Sequence, residues 1–375
     1  VARVLEVWVT DERPLLPDYD GACITNIVPA LLEPGQSWPS WFPVLAEDAD
    51  QVVLLVLDGL GWNQLQDRPH VTPTLRALEG GPISTVAPST TAAALTSITT
   101  GMAPGAHGVI GYRMAVDGEV LNVLRWQTSG RDARASIPPD KVQVNEPFAG
   151  QRPPVVTKAE FRNTGFTMAH LDRTRLAGWR VTSTLVTEVA QLLRRGEPFV
   201  YAYYEGVDKV AHEYGLDEFY DAEVRSADRL VADILEVLPR GAVLVVTSDH
   251  GQVDVGERII TPAPEVMAHV HQQSGEGRFR WLHARPGHAR HLLEAATEHH
   301  ADTGWVVSVD QVVDEHWLGP VLIDPARRML GDVALVAREP VSYHDPADSG
   351  PFELIARHGS LTADEMLVPL LVGRS

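Results

Sequence analysis

Six residues scattered along the chain have the side-chain chemistry of a metal centre. Asp58 precedes Gly59, and Asp249 and His250 stand together in Ser248-Asp249-His250-Gly251. Asp208 and His212 are four residues apart, and His358 precedes Gly359. Carboxylate oxygens and imidazole nitrogens suit a zinc-like divalent ion, and flanking glycines let the backbone turn sharply beside the donors. If a helix starts near Asp208, its carboxylate and the His212 ring share one face and can share an ion. Three carboxylates and three histidines are enough for two metals with open coordination positions.

A seventh position offers a nucleophile. In Pro88-Ser-Thr-Thr91-Ala-Ala-Ala-Leu-Thr-Ser-Ile-Thr-Thr-Gly101, small hydroxyl residues precede a helix-forming run. A hydroxyl there sits at a helix N-terminus, where backbone N–H groups attract anions. Threonine is a weak nucleophile at its free pKa, and metal coordination is one way to activate it. Thr90, next in line, is the alternative nucleophile.

These residues need a scaffold that gathers them. Gln51 to Leu57 is an almost continuous apolar run ending at Asp58, as a buried parallel strand reads. Phe199 to Tyr204 and Ala242 to Thr247 repeat the pattern, and each also ends in a polar cluster. Between these two runs, Val224, Ala227, Val231, Ile234 and Leu238 line one face of an otherwise charged helix. The expected fold class is α/β, a mostly parallel sheet with helices on both faces. Such sheets bind ligands outside the carboxyl ends of their strands, so the three polar clusters should meet at one edge.

Two segments interrupt the alternation. Arg131 to Pro154 carries five prolines and reads as an irregular surface excursion. Residues 254–345 contain a strand-like Arg278 to His283, a helix-like His288 to Glu298 and a strand-like Asp332 to Ala337. They read as a small α+β insertion, leaving residues 1–253 and 346–375 as the core. Both interruptions are expected to shape the leaving-group pocket.

Composition narrows the function. With 44% apolar and 22% charged residues among 375, the chain is an ordinary globular protein. Its formal charge of −19 argues against an extended nucleic-acid surface, so positive charge for a phosphate must be local, as bound metals provide. Cys23 is the only cysteine, which excludes an intramolecular disulfide and a cysteine-based zinc site. The longest apolar run, Val52 to Leu57, is too short to span a bilayer. Val1 to Pro14 lacks the basic-then-apolar order of a secretory signal, so a cytoplasmic location is expected, with prior removal of a leader left open. The sequence carries no signal for oligomeric state.

Taken in order, Asp58, Thr91, Asp208 with His212, Asp249 with His250, and His358 resemble the alkaline phosphatase superfamily, most closely its nucleotide pyrophosphatase/phosphodiesterase branch. The likeness runs from roughly Gly21 to Val372. Its most specific pieces are Thr91 nine residues before Thr100-Gly101, then Pro104-Gly-Ala-His107-Gly108, the Asp-x-x-x-His pair, and Ser248-Asp-His-Gly251. The resemblance implies an alkaline-phosphatase-like fold and two divalent ions, zinc or, as the alternative, manganese. It implies that Asp58, Asp249 and His250 hold one ion, which also binds the Thr91 oxygen, and that Asp208, His212 and His358 hold the other. It implies attack by Thr91 on phosphorus, a phosphothreonine intermediate, and release by water. The spacing to Thr100-Gly101 favours Thr91 over Thr90.

Some positions depart from that pattern. The branch has an asparagine a few residues after its His-Gly pair, where this chain reads Gly108-Val-Ile-Gly-Tyr112. Tyr112 can still donate one hydrogen bond and is the candidate substrate-binding residue. The second metal motif reads Val207-Asp208 and Ala211-His212 in place of the usual Pro-Asp and Gly-His.

Blander readings apply elsewhere. His107 reads as a structural hydrogen-bonding residue, the Val224 to Leu238 stripe as core, and Thr362-Ala-Asp-Glu365 as a capping box. Asp58-Gly-Leu-Gly61 lacks the third small residue of a dinucleotide fingerprint, with Gln64 in its place. No Gly-x-Ser-x-Gly elbow is present. The expectation is a hydrolase of phosphodiester or nucleotide pyrophosphate bonds, acting on a small phosphate ester or nucleotide. A phosphomonoesterase or phosphonate hydrolase is the alternative, and a noncatalytic metal-stabilised binding protein is the rival of another class.

Overall fold

The computed structural model describes residues 13–33, 35, 37–348 and 354–374. Residues 1–12, which make up most of the segment compared with a secretory signal, lie outside them. Eleven strands and five helices position the site. β1 (Gln51–Leu57), β2 (Glu79–Ser84), β3 (Pro154–Lys158), β4 (Arg175–Trp179), β5 (Phe199–Tyr204) and β6 (Ala242–Thr247) come first. β7 (Val270–Glu276), β8 (Phe279–Ala284), β9 (Gly304–Ser308) and β10 (Val333–Ala337) follow, and β11 (Leu367–Arg374) is last. The helices are α1 (Thr91–Thr100), α2 (Thr182–Arg194), α3 (Gly206–Tyr214), α4 (Glu218–Val237) and α5 (Ala289–His300).

The central sheet has the order β2-β11-β6-β1-β5-β3-β4. All its neighbours pair in parallel except β11, which runs against both β6 and β2. The three apolar runs of the sequence are the middle strands β6, β1 and β5, covered on both faces. Because strand side chains alternate, Leu54 and Val56 pack into the layer of α1, while Val53, Leu55 and Leu57 pack into the layer of α4. The stripe Val224, Ala227, Val231, Ile234 and Leu238 is buried in that second layer. Among the described residues, no helix is long and apolar enough to cross a membrane.

Only part of Arg131 to Pro154 is irregular. Arg131–Asp132 ends a four-stranded antiparallel meander that begins at Arg113–Val116, and a one-turn helix spans Pro139–Val142. Strands β7 to β10 form a second, antiparallel sheet in the order β7-β8-β10-β9. A core that includes Val270, Leu282, Leu292, Leu335 and Tyr343 joins this sheet to α5. On that basis we propose the division into a 254–345 insertion and a core of the remaining residues.

One buried ion pair ties the insertion to the core. Arg278 Nε and Nη2 donate to Glu365 Oε1 and Oε2, each at 2.7 Å, with both side chains fully buried. Glu365 also accepts from Ser360 N at 2.9 Å and Thr362 Oγ1 at 2.6 Å. Thr362 and Glu365 bond to each other through their side chains rather than to the backbone N–H groups of a capping box, and the same carboxylate reaches across to the insertion.

Candidate metal centre and active site

Asp58 follows β1, Asp208 and His212 lie on α3 just after β5, and Asp249 and His250 follow β6. Adjacent parallel strands therefore deliver their ends to one place. Gly59 makes the tight passage, with φ of 75°. Its N–H donates to Asp249 Oδ1 at 3.1 Å, and a Cβ there would lie 2.9 Å from the Asp208 Cα.

Two donor clusters result. In one, ligand atoms of Asp58, Asp249 and His250 lie within 4.8 Å of one another; in the other, those of Asp208, His250 and His358 do. His250 belongs to both, and its ring stacks on His358 with centroids 3.5 Å apart. His212 joins through Asp208, with its Nε2 3.3 Å from Asp208 Oδ1. The structure thus brings all six sequence-identified donors together, but with His250 between two sets rather than confined to one.

The donors fit divalent ions. Each imidazole has Nδ1 against a backbone carbonyl: His212 on Ala356 O at 2.7 Å, His358 on Ser89 O at 2.9 Å, His250 on Gly251 O at 3.1 Å. A carbonyl only accepts, so Nδ1 carries the proton and Nε2 presents a lone pair to the carboxylates. Asp58 Oδ1 and Asp249 Oδ2 are buried without any hydrogen-bond partner. Burial first, then the charges of Asp249 and Asp208, push the Asp58 carboxyl well above its usual range. Burial, then the neighbouring His250 and His212, holds His358 well below the ordinary histidine value, so it is neutral. Lone pairs facing unpartnered carboxylates are mutually repulsive, and cations between them remove the conflict.

Thr91 opens α1, and its Oγ1 lies 3.0 Å from His250 Nε2. Thr90 is turned toward Glu276 instead. The Tyr112 hydroxyl accepts from Asn122 Nδ2 at 2.6 Å, which leaves its own proton free to be donated. His107 lies in neither cluster: its Nδ1 accepts from Val109 N at 3.1 Å, so its Nε2–H donates to Ser97 Oγ at 2.9 Å. Burial drops its pKa to about 3.

The residues behind the ligands escaped sequence reasoning. The Tyr203 hydroxyl donates to Asp58 Oδ2, and Gln252 Nε2 donates to Asp208 Oδ1 at 2.6 Å. Tyr203 was hidden in the apolar run of β5. Gln252, only two residues beyond His250, was findable from its position.

Two cavities, each about 350 Å³, meet at Thr91, Asp208 and His212. One is apolar, lined by residues such as Leu95, Phe161, Phe166 and Leu171. The other is the more polar of the two, with Tyr112, Glu276, Arg280 and Arg357 on its wall. Residues of the 254–345 segment, among them Glu276, Gly277 and Arg280, line the polar cavity. No residue of Arg131 to Pro154 lines either cavity, although Leu124 before that segment lines both and Thr157 just after it lines the apolar one.

The family model of type I phosphodiesterase / nucleotide pyrophosphatase matches residues 52–303. No curated protein matches the sequence. Among solved structures, murine ectonucleotide pyrophosphatase / phosphodiesterase 5 is similar at a TM-score of 0.65 and 15% identity, over 86% of this chain and 87% of that one. An inactive variant of the murine protein in complex with AMP gives 0.64 and 14% over the same shares. Phosphonoacetate hydrolase from Sinorhizobium meliloti gives 0.60 and 19%, over 86% of this chain and 90% of that one. At these identities the likeness is one of fold, and it agrees with the mostly parallel α/β sheet described above.

Proposed function

The chain belongs to the type I phosphodiesterase / nucleotide pyrophosphatase family and is a phosphoric ester hydrolase, and on that premise we propose that it cleaves phosphodiester or nucleotide pyrophosphate bonds through a phosphothreonine at Thr91. The observation that carries this reading is the Thr91 Oγ1 at 3.0 Å from His250 Nε2, at a helix N-terminus beside the clustered carboxylates. Asp58, Asp249 and His250 would hold one ion, and Asp208, His212 and His358 the other, with zinc the first choice and manganese the second. Bound there, the ions would favour ionisation of the Thr91 hydroxyl and offset charge building on the attacking and leaving oxygens.

The protein groups supply the rest. The carbonyl-bound imidazoles keep their Nε2 lone pairs aimed inward without reorganisation. Tyr112 donates to a nonbridging phosphate oxygen. The apolar cavity, with Phe161 and Phe166 on its wall, would accept a flat group such as a nucleobase, and the inactive variant of the murine neighbour is itself in complex with AMP. A phosphonate or phosphomonoester substrate is the second reading, favoured by the polar cavity and by the phosphonoacetate hydrolase neighbour.

The test is hydrolysis of bis-p-nitrophenyl phosphate against p-nitrophenyl phosphate, by protein stripped of metal and reloaded with zinc or manganese. Preference for the diester is expected. Preference for the monoester moves the enzyme to the second reading, and silence on both with metals bound overturns the diester reading.

A further inference from the structure

Three histidines outside both donor clusters gather on the 254–345 segment. His269 stands just before β7, His288 just before α5, and His291 in the first turn of α5. The Nδ1 atoms of His269 and His288 are 2.8 Å apart, and their ring centroids are separated by 5.1 Å. The His291 ring lies 5.7 Å from that of His269 and 6.2 Å from that of His288, centroid to centroid. Three imidazoles therefore share one corner, where a strand and a helix begin side by side.

The backbone holds that corner in place. Arg285 N donates to His269 O at 2.8 Å, and Arg285 O accepts from His288 N at 2.9 Å, so one residue fastens both segments. Behind them, Val266, Val270 and Leu292 are buried in one apolar core. His269 and His288 are half-buried, whereas His291 is exposed. Among the described residues, the histidines with a carboxylate within 4.0 Å are His70, His212, His250, His299 and His358. The corner thus offers nitrogen donors alone, unlike the mixed donors beside Thr91.

A proton shared between two Nδ1 atoms would account for His269 and His288, but it gives His291 no part. A divalent ion that favours imidazole employs all three rings. Two nitrogens at about 2.0–2.1 Å from a tetrahedral ion stand about 3.3 Å apart, with their rings about 5 Å apart between centroids. His269 and His288 need to part by about half an ångström, and the His291 ring to swing inward by about one, a change of rotamer open to an exposed side chain.

We propose that His269, His288 and His291 form a further metal site, an all-imidazole site for one nitrogen-preferring divalent ion of the nickel, copper or zinc class. Magnesium and calcium, which take oxygen ligands, are not its ions. A bound ion would pin the segment before β7 to the start of α5. The site stands independently of the phosphodiesterase reading.

The experiment is calorimetric titration of the zinc-loaded full chain with nickel chloride, with released zinc measured by elemental analysis. One equivalent of nickel should bind without an equivalent release of zinc. His288→Gln and His291→Gln should each weaken that binding by about tenfold or more, while His271→Gln, an exposed histidine outside the cluster, should bind as the wild type does. Thermal melting without nickel checks that each variant is folded. Nickel uptake matched by zinc release overturns the proposal, as does equal nickel affinity in His288→Gln and the wild type. An effect in His288→Gln with none in His291→Gln reduces the corner to a ring pair and overturns the three-ring site.

Discussion

Replacing Tyr203 by Phe removes one oxygen from a buried site and keeps the ring that packs there. In the wild type, that hydroxyl donates to Asp58 Oδ2, with Tyr203 7% and Asp58 2% exposed, so water cannot take its place without rearrangement. A hydrogen bond to a charged group contributes about 1.5–3 kcal/mol, which is roughly one to two decades in affinity. Part of the bond also exists before metal binds, so the lower end applies, and the expected loss is about tenfold for the ion proposed at Asp58, Asp249 and His250. The assay is competition against a chromophoric zinc chelator, fitted to two sites. Tyr201→Phe is the control, because the Tyr201 hydroxyl is buried without a partner and its removal leaves nothing unpaired. Equal zinc affinities for Tyr203→Phe and wild type would refute the argument, as would equal weakening of both sites.

Three further outcomes follow from the same geometry. Thr91→Ala should bind two ions per chain by elemental analysis yet lose nearly all diesterase turnover, since only the nucleophile is gone; full activity would remove Thr91 from the mechanism. Glu276→Gln tests a linkage whose sign is fixed: the folded carboxyl titrates near 8 against an ordinary 4.5, so the folded state holds a proton that the unfolded chain has released. Wild-type stability contributed by this group is present below the lower value and lost as pH rises through about 8, and urea midpoints of metal-free variant and wild type should diverge in favour of Gln across that window. Arg278→Met strands the buried Glu365 carboxylate and should cost about 3–5 kcal/mol by urea denaturation, against a small change for an exposed pair such as Arg229 with Asp233.

The middle of the fold was legible because β1, β5 and β6 are buried on both faces, which leaves continuous apolar runs in the sequence. Asp58, Asp249 and His250 were noticed as candidate donors for a related reason: each stands just after such a run. Edge strands gave no such signal. β4 has only Trp179 buried, and β2 reads Glu79-Gly-Gly-Pro at its start, a composition that suggests a turn. β11 contains Pro369 and Gly373, and its antiparallel direction breaks the alternation that located the others.

What stayed hidden at the site is hidden for a chemical reason. The three imidazoles are oriented by Ala356 O, Ser89 O and Gly251 O, and a backbone carbonyl is carried by every residue, so no residue type marks these positions. Tyr203 does have a distinctive hydroxyl, but it sits in a strand where alternate side chains face opposite layers, and only the assembled sheet reveals which tyrosine faces Asp58. Arg278 and Glu365 are separated by 87 positions and become partners only once the insertion docks. The candidate donors thus belong to local motifs, whereas the groups that orient them are a property of the packed chain. It follows that substitutions behind the ligands, at Tyr203 or Gln252, should separate metal affinity from ligand count in a way that no exchange of the six donors can.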